Sequence, residues 1–133
     1  MIKKYISKSE KEWRKSLTPK EFHILREKGT ESPFSGKYVY NKEKGLYVCS
    51  GCENELFSSE NKFDSGSGWP SFWDVVSSSK VELKPDYNHG MQRIEVLCSK
   101  CGSHLGHLFD DGPKPTGKRY CINSLSLNFK KVK

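Results

Sequence analysis

The sequence predicts a mainly β fold preceded by short N-terminal helices, and three observations carry that expectation. Helix-start signals are confined to the residues before Gly29. The remainder breaks into short runs separated by Gly, Pro, Asn and Asp. Two Cys-x-x-Cys pairs, Cys49/Cys52 and Cys98/Cys101, span the middle of the chain. At 133 residues a single domain is expected over 1–133, with a helical part over 1–30 and a β core over 31–133. Apolar residues make up 34% and charged residues 29%, a lean core of the kind that often needs a staple.

The elements follow in order. A short helix is expected from about Ser9 to Leu17, burying Trp13 and Leu17 at i,i+4 spacing. Thr18-Pro-Lys-Glu21 is a capping box with proline at the first helical position, so a second helix starts there. Phe22 and Leu25 give it an apolar stripe, Arg26 and Lys28 suit its C-terminal dipole, and Gly29 is placed to take a left-handed cap. Strands are expected over Gly36 to Tyr40, Leu46 to Cys49, Lys80 to Leu83, Gln92 to Cys98 and Arg119 to Phe129. Asn41 to Gly45 reads as a hairpin turn between the first two.

Net charge is +7, with the excess in residues 1–28 and at the C-terminus. Solvated termini account for it; nucleic-acid binding is the alternative, but no arginine-rich run interleaved with aromatics supports that. Met1 to Ser9 is basic, yet no apolar stretch of signal or transmembrane length follows. The expectation is a cytoplasmic protein without nucleic-acid or membrane partners, and a monomer. In that reducing setting, five cysteines read as metal ligands or catalysts before disulfide partners.

Each Cys-x-x-Cys lets one tight turn present two sulfurs, and two such turns complete the tetrahedral shell that Zn²⁺ prefers. Residues 53–97 separate the pairs, so one structural zinc per chain, on Cys49, Cys52, Cys98 and Cys101, would pin the start of the β region to a distant strand. Redox-active pairs and metal-free reduced pairs are the alternatives, though neither pair stands in a strand-then-helix setting. Four thiolates leave a zinc ion no open position, so chemistry must lie elsewhere.

Cys121 has no such partner. If Arg119 to Phe129 is one strand, Arg119, Cys121 and Asn123 share a face, with Leu125, Leu127 and Phe129 beyond. A guanidinium beside the thiol favours thiolate, and an amide on the other flank can hydrogen-bond a polar substrate. His104-Leu-Gly-His107 offers proton donors titrating near neutrality. An inert buried cysteine is the competing reading. Trp69, in Gly66-Ser-Gly-Trp-Pro-Ser-Phe-Trp73, reads alone as a packed turn and becomes a pocket wall only beside Cys121.

Taken together, eight segments resemble the B-type methionine sulfoxide reductases, in order and over nearly the whole chain. They are Leu17-Thr-Pro-Lys-Glu-Phe22, Gly29-Thr-Glu-Ser-Pro-Phe-Ser-Gly36, Gly68-Trp-Pro-Ser-Phe72, His89-Gly-Met-Gln-Arg-Ile94, His104-Leu-Gly-His107, Asp111-Gly-Pro113, Pro115-Thr-Gly117 and Arg119-Tyr-Cys-Ile-Asn-Ser124. The resemblance implies a pair of antiparallel sheets, tent- or barrel-like, with helical N-terminal additions and four-cysteine zinc. It implies that Cys121 attacks the sulfoxide sulfur of the R epimer in oxidised proteins and becomes a sulfenic acid. Trp69 would line the methyl pocket; His104, His107 and Asn123 would serve the sulfoxide oxygen; Arg119 would tune the thiolate; and Asp111 matches an acidic position nearby. Many members have a resolving cysteine where this chain has Ser67. Serine cannot condense with a sulfenic acid, so recycling by thioredoxin or another thiol acting directly on Cys121 is expected. A zinc-bound interaction module without catalysis is the runner-up. A basic zinc ribbon fits the charge but not the aromatic and glycine pattern, and a zinc deaminase lacks its His-x-Glu.

Overall fold

Two reciprocal capping boxes set the N-terminal helices. Ser9 accepts from the Glu12 N–H while Glu12 reaches back to Ser9, starting α1 (Glu10–Ser16). Thr18 and Glu21 do the same for α2 (Pro19–Arg26), with Pro19 in its first turn. Trp13, Leu17, Phe22 and Leu25 are buried as the helical spacing predicts. The left-handed residue after α2 is Lys28, at φ 55°, and not Gly29. Gly29 instead lies so close to the His23 ring and carbonyl that a Cβ would collide with them. The structure is a computed structural model describing residues 8–87 and 90–131; the first residues of the basic N-terminal stretch and His89 fall outside it. Among the described residues no helix is long and apolar enough to cross a membrane.

The strands are β1 (Gly45–Cys49), β2 (Glu55–Ser58), β3 (Lys62–Phe63), β4 (Ser71–Phe72), β5 (Val81–Asp86), β6 (Arg93–Cys98), β7 (His104–Phe109), β8 (Arg119–Ile122) and β9 (Leu127–Lys131). They form two antiparallel sheets, as expected: three strands in the order β2-β1-β9, and six in the order β3-β4-β8-β7-β6-β5. Between them lies an aromatic wedge. Tyr47 and Phe57 from the small sheet meet Phe72 and Tyr120 from the large one, with Phe57 stacked on Phe72 at 4.4 Å between centroids and Phe129 packed behind Tyr47. Each such pair adds about 0.5–1.5 kcal/mol beyond its burial.

Several expected boundaries are corrected. Gly36 to Tyr40 is a turn and not a strand, so Asn41 to Gly45 is no hairpin loop. Asn41 instead donates to the Tyr47 hydroxyl at 2.9 Å, and the Tyr38 N–H donates to Ser124 Oγ at 3.2 Å. Lys80 ends a 3-10 turn, and the strand begins at Val81 and runs through Pro85, which an edge strand tolerates. The long strand expected over Arg119 to Phe129 breaks at Asn123. Its amide bonds to the main chain of Leu105 and Glu31, and a 3-10 turn over Ser124–Ser126 carries the chain from the large sheet into the small one. Strands β2, β3, β4 and β7 were not expected.

The two cysteine turns are built alike. The Glu53 N–H donates to the Cys49 carbonyl and the Gly102 N–H to that of Cys98, each at 2.8 Å. Both residues are left-handed, Glu53 at φ 65° and Gly102 at φ 75°. A side chain there costs about 1–2 kcal/mol, which Gly102 avoids and Glu53 bears. Gly102→Ala should therefore lower the unfolding free energy by about that amount, whereas Glu53→Gly should not lower it. Thermal melts of the metal-loaded variants check this, and equal losses in both would contradict the assignment.

Candidate functional site

Four sulfurs meet where those turns face each other. Cys49 Sγ lies 3.7 Å from Cys101 Sγ, and Cys52 Sγ lies 3.5 Å from Cys98 Sγ. All four lie within 4.8 Å of one another. A tetrahedron with sulfurs about 2.3 Å from its centre has edges of about 3.8 Å, so the donor set fits a single ion of that coordination. Unaided, the cluster cannot ionise fully. Its mutual hydrogen bonds hold Cys98 well below the ordinary thiol and Cys101 at about 7, while pushing Cys49 and Cys52 up. A divalent cation is what allows four thiolates at this spacing. Arg26 braces the site, donating to the Cys101 carbonyl at 3.0 Å and Ser103 Oγ at 3.1 Å with its guanidinium over the Trp13 ring.

Cys121 lies outside this cluster. It stands on β8 between Ser71 of β4 and His107 of β7, its cross-strand partners. It is half-buried at a cleft of about 100 Å³ that Trp69, Phe109, His107, Arg93, Thr30 and Asn123 help to line. A larger groove of about 540 Å³ abuts it across Thr30, but holds no cysteine. Burial raises the Cys121 pKa, and the nearby Glu31 charge adds to this. The Arg119 guanidinium and a hydrogen bond with Ser67 act the other way without overcoming it. Arg119 is adjacent as the sequence suggests, but the resting group is thiol. Ser67 continues into a hydroxyl chain, 2.7 Å from Ser65 Oγ, which is 2.7 Å from Ser71 Oγ.

The two histidines reach one place through a bulge. Three residues apart on a regular strand, they would point to opposite faces. Between β6 and β7 the pairing shifts, with Val96 opposite Gly106 but Leu97 opposite His104, so Leu105 is the extra residue. The rings of His104 and His107 consequently lie 5.4 Å apart. Each is held by a buried carboxylate: His104 Nδ1 is 2.7 Å from Glu95 Oε2, and His107 Nε2 is 2.7 Å from Asp86 Oδ2. Lys28 lies 3.3 Å from Glu95 and 3.8 Å from Asp86, and Arg93 lies 3.8 Å from Asp86. Burial pushes Glu95 up, but His104 and Lys28 outweigh it and its pKa is lowered. Burial also dominates at His107, whose pKa is lowered despite Asp86, so it is neutral at pH 7.

Main-chain contacts fix the remaining residues. Trp69 Nε1 donates to the Glu31 carbonyl at 3.0 Å, and Asn123 accepts from the Glu31 N–H and donates to the Leu105 carbonyl. Asn123 thus shapes the cleft while one of its amide hydrogens stays uncommitted. Asp111 does not line the cleft; it is exposed and forms a two-point contact with Arg119 at 2.8 and 3.2 Å, over the Phe109 ring. Glu95, Asp86, Glu31, Lys28 and Arg93 are not assigned to the site by the sequence, which marks Lys28 only as a helix-end cation. Glu95 alone carried a signal there, as an acid within the apolar run Ile94 to Leu97.

Fold and site together define a β protein with a four-thiol metal cluster and a separate cleft cysteine backed by paired histidines. The family described as the SelR domain matches residues 17–131. The peptide methionine sulfoxide reductase MsrB of Methanosarcina barkeri is 66% identical over 130 residues, covering 98% of this chain and 92% of that protein. Its Methanosarcina mazei counterpart is 62% identical over 131 residues, covering 98% and 94%. Methionine-R-sulfoxide reductase B3, mitochondrial, of Mus musculus is 60% identical over 121 residues, 91% of this chain and 48% of that longer protein. The chain belongs to the SelR-domain family, that of the MsrB methionine sulfoxide reductases.

Because burial raises the Cys121 pKa, its thiolate fraction is small at neutral pH and grows as pH rises. Alkylation of Cys121 by iodoacetamide in metal-loaded protein should still be accelerating above the ordinary thiol pKa. Arg119→Met should move the profile further up. A plateau already reached by pH 7 would contradict this.

Proposed function

We propose that the protein reduces the R epimer of methionine sulfoxide in oxidised proteins and peptides, with Cys121 as nucleophile and Zn²⁺ as the structural ion of the four-cysteine cluster. The observation that carries this reading is the division of the cysteines. Four are committed to one cluster, and the fifth stands alone in a cleft between an aromatic wall and the carboxylate-held His107, behind which His104 is buried. Zinc, held by Cys49, Cys52, Cys98 and Cys101, would supply charge neutralisation and a cross-link, and no reactive position.

In the cleft, the substrate methyl group packs on Trp69 and the sulfur faces Cys121. His107, with Nε2 engaged by Asp86, has Nδ1 left to take the thiol proton and pass it to the sulfoxide oxygen. His104 and the uncommitted amide hydrogen of Asn123 assist at that oxygen. Arg119, held by Asp111, favours the thiolate against the burial that opposes it. Sγ attacks the sulfoxide sulfur as the proton reaches oxygen. The Sγ–S bond of that adduct and the sulfoxide S–O bond then break as a Cys121 S–O bond forms, so the substrate sulfur gains two electrons and Cys121 loses two. Methionine and a Cys121 sulfenic acid result. The S epimer exchanges the oxygen and methyl positions, setting oxygen against Trp69, which accounts for R selectivity.

Recycling needs an external thiol because residue 67 is serine. One thiol of thioredoxin or another reductant condenses with the sulfenic acid, expelling water and leaving a mixed disulfide; a second thiol releases Cys121. A reducing cytoplasm and a monomeric chain suit this cycle.

Two measurements test the reading. Blocked R methionine sulfoxide should be turned over by the wild type and not by Cys121→Ser, with the S epimer inert in both; activity surviving the substitution contradicts it. After one turnover without reductant, the wild type should gain one oxygen atom by intact mass. Ser67→Cys should instead lose two hydrogens as an internal disulfide forms. A wild-type disulfide to a cluster cysteine would sink the one-cysteine cycle.

A further inference from the structure

The groove of about 540 Å³ beside the catalytic cleft has no part in the mechanism above, yet it is joined to that cleft by two shared stretches of chain. Thr30 belongs to both, and the following residue, Glu31, holds Trp69 and Asn123 through its carbonyl and N–H. On the opposite wall Asn123 lines the cleft while Ser124 and Leu125 line the groove. A polypeptide with one side chain in the cleft has this groove as one adjoining depression, with another of about 490 Å³ across Arg93.

The groove's polar lining combines cations with hydroxyls. Lys20 and Lys37 contribute the charge, and Ser32, Ser35 and Thr30 the hydroxyls. Lys20 has no ion-pair partner among the described residues. Lys37 has only the Tyr38 ring, 5.0 Å from its Nζ. His23 is matched by Glu27 at 3.3 Å. The one acid in the lining is turned away from a ligand. Glu31 is 7% exposed, its Oε1 accepts from the Leu125 N–H at 3.0 Å, and its Oε2 is buried against Gly36, where a Cβ would collide with it. Two uncompensated ammonium groups therefore face the space a bound chain would occupy.

We infer that this groove is the subsite for residues flanking the oxidised methionine, and that Lys20 and Lys37 select acidic side chains there. The inference rests on the reductase reading. Both lysines are surface cations in high dielectric, so the preference is modest and falls with salt.

The test compares two peptides, each with one R methionine sulfoxide, flanked by Asp in one and by Lys in the other, with blocked methionine sulfoxide as a substrate too short to reach the groove. At low salt the wild type should favour the Asp peptide by about threefold or more in kcat/KM, the difference residing in KM. The preference should shrink toward unity at high salt. Lys20→Glu/Lys37→Glu should reverse it while leaving turnover of blocked methionine sulfoxide unchanged. Equal kcat/KM for the two peptides, or a preference that the double variant retains, overturns the acidic subsite and leaves the reductase reading standing. Failure to turn over blocked methionine sulfoxide fails that reading, and this inference with it.

Discussion

Four sulfurs within 4.8 Å of one another connect cysteines that lie 46 and 52 residues apart in the chain. Cys49 ends β1 in the small sheet, and Cys98 ends β6 in the large one, so the cluster joins the sheets at one end while the aromatic wedge joins them along their length. The helices depend on the same place. The Trp13 ring lies against Gly51, where an added Cβ would come within 3.1 Å, and Arg26 spans from that ring to the Cys101 carbonyl. A chain with 34% apolar residues has little else to hold two sheets and two short helices together.

From Arg26 the path to the chemistry is short. Lys28 sits beside Glu95 and Asp86, the carboxylates that hold the two histidines, and Glu31 carries Trp69 and Asn123 on its backbone. The end of α2 thus acts as a strap from the metal cluster to the cleft. On its other side the cleft is shaped by the Leu105 bulge and by Gly106, whose hydrogen faces the Cys121 main chain so closely that any side chain would collide with it. In the proposed reaction Cys121 acts by position more than by acidity. Burial raises its pKa and keeps it a thiol at rest, and His107 lines the same cleft.

Local chemistry was legible in the sequence. The capping boxes at Ser9 and Thr18 and the two cysteine turns are written in consecutive residues, and so is the isolation of Cys121 from both pairs. What was not legible depended on pairing between distant strands. His104 and His107 share a face only because β7 slips one residue against β6, which no spacing within β7 reveals. Arg119 to Phe129 reads as one strand because Asn123 becomes a corner only through Glu31 and Leu105, contacts |i−j| of 92 and 18 away. Asp86 and Lys28 look like ordinary surface charges until the sheet and the end of α2 fold over the same histidines. Asp111, which the resemblance puts near the site, makes its contact with Arg119 and does not line the cleft.

The four-cysteine cluster holds the Cys121 cleft through the end of α2. Hydrogen exchange during stepwise chelation of the bound metal, under reducing conditions, tests it most directly. Amides of both cysteine turns, α2, residues 28–31 and β7 should lose protection together, at the same chelator concentration that releases the ion. Release of the ion with residues 28–31 and 104–107 still fully protected would contradict the claim.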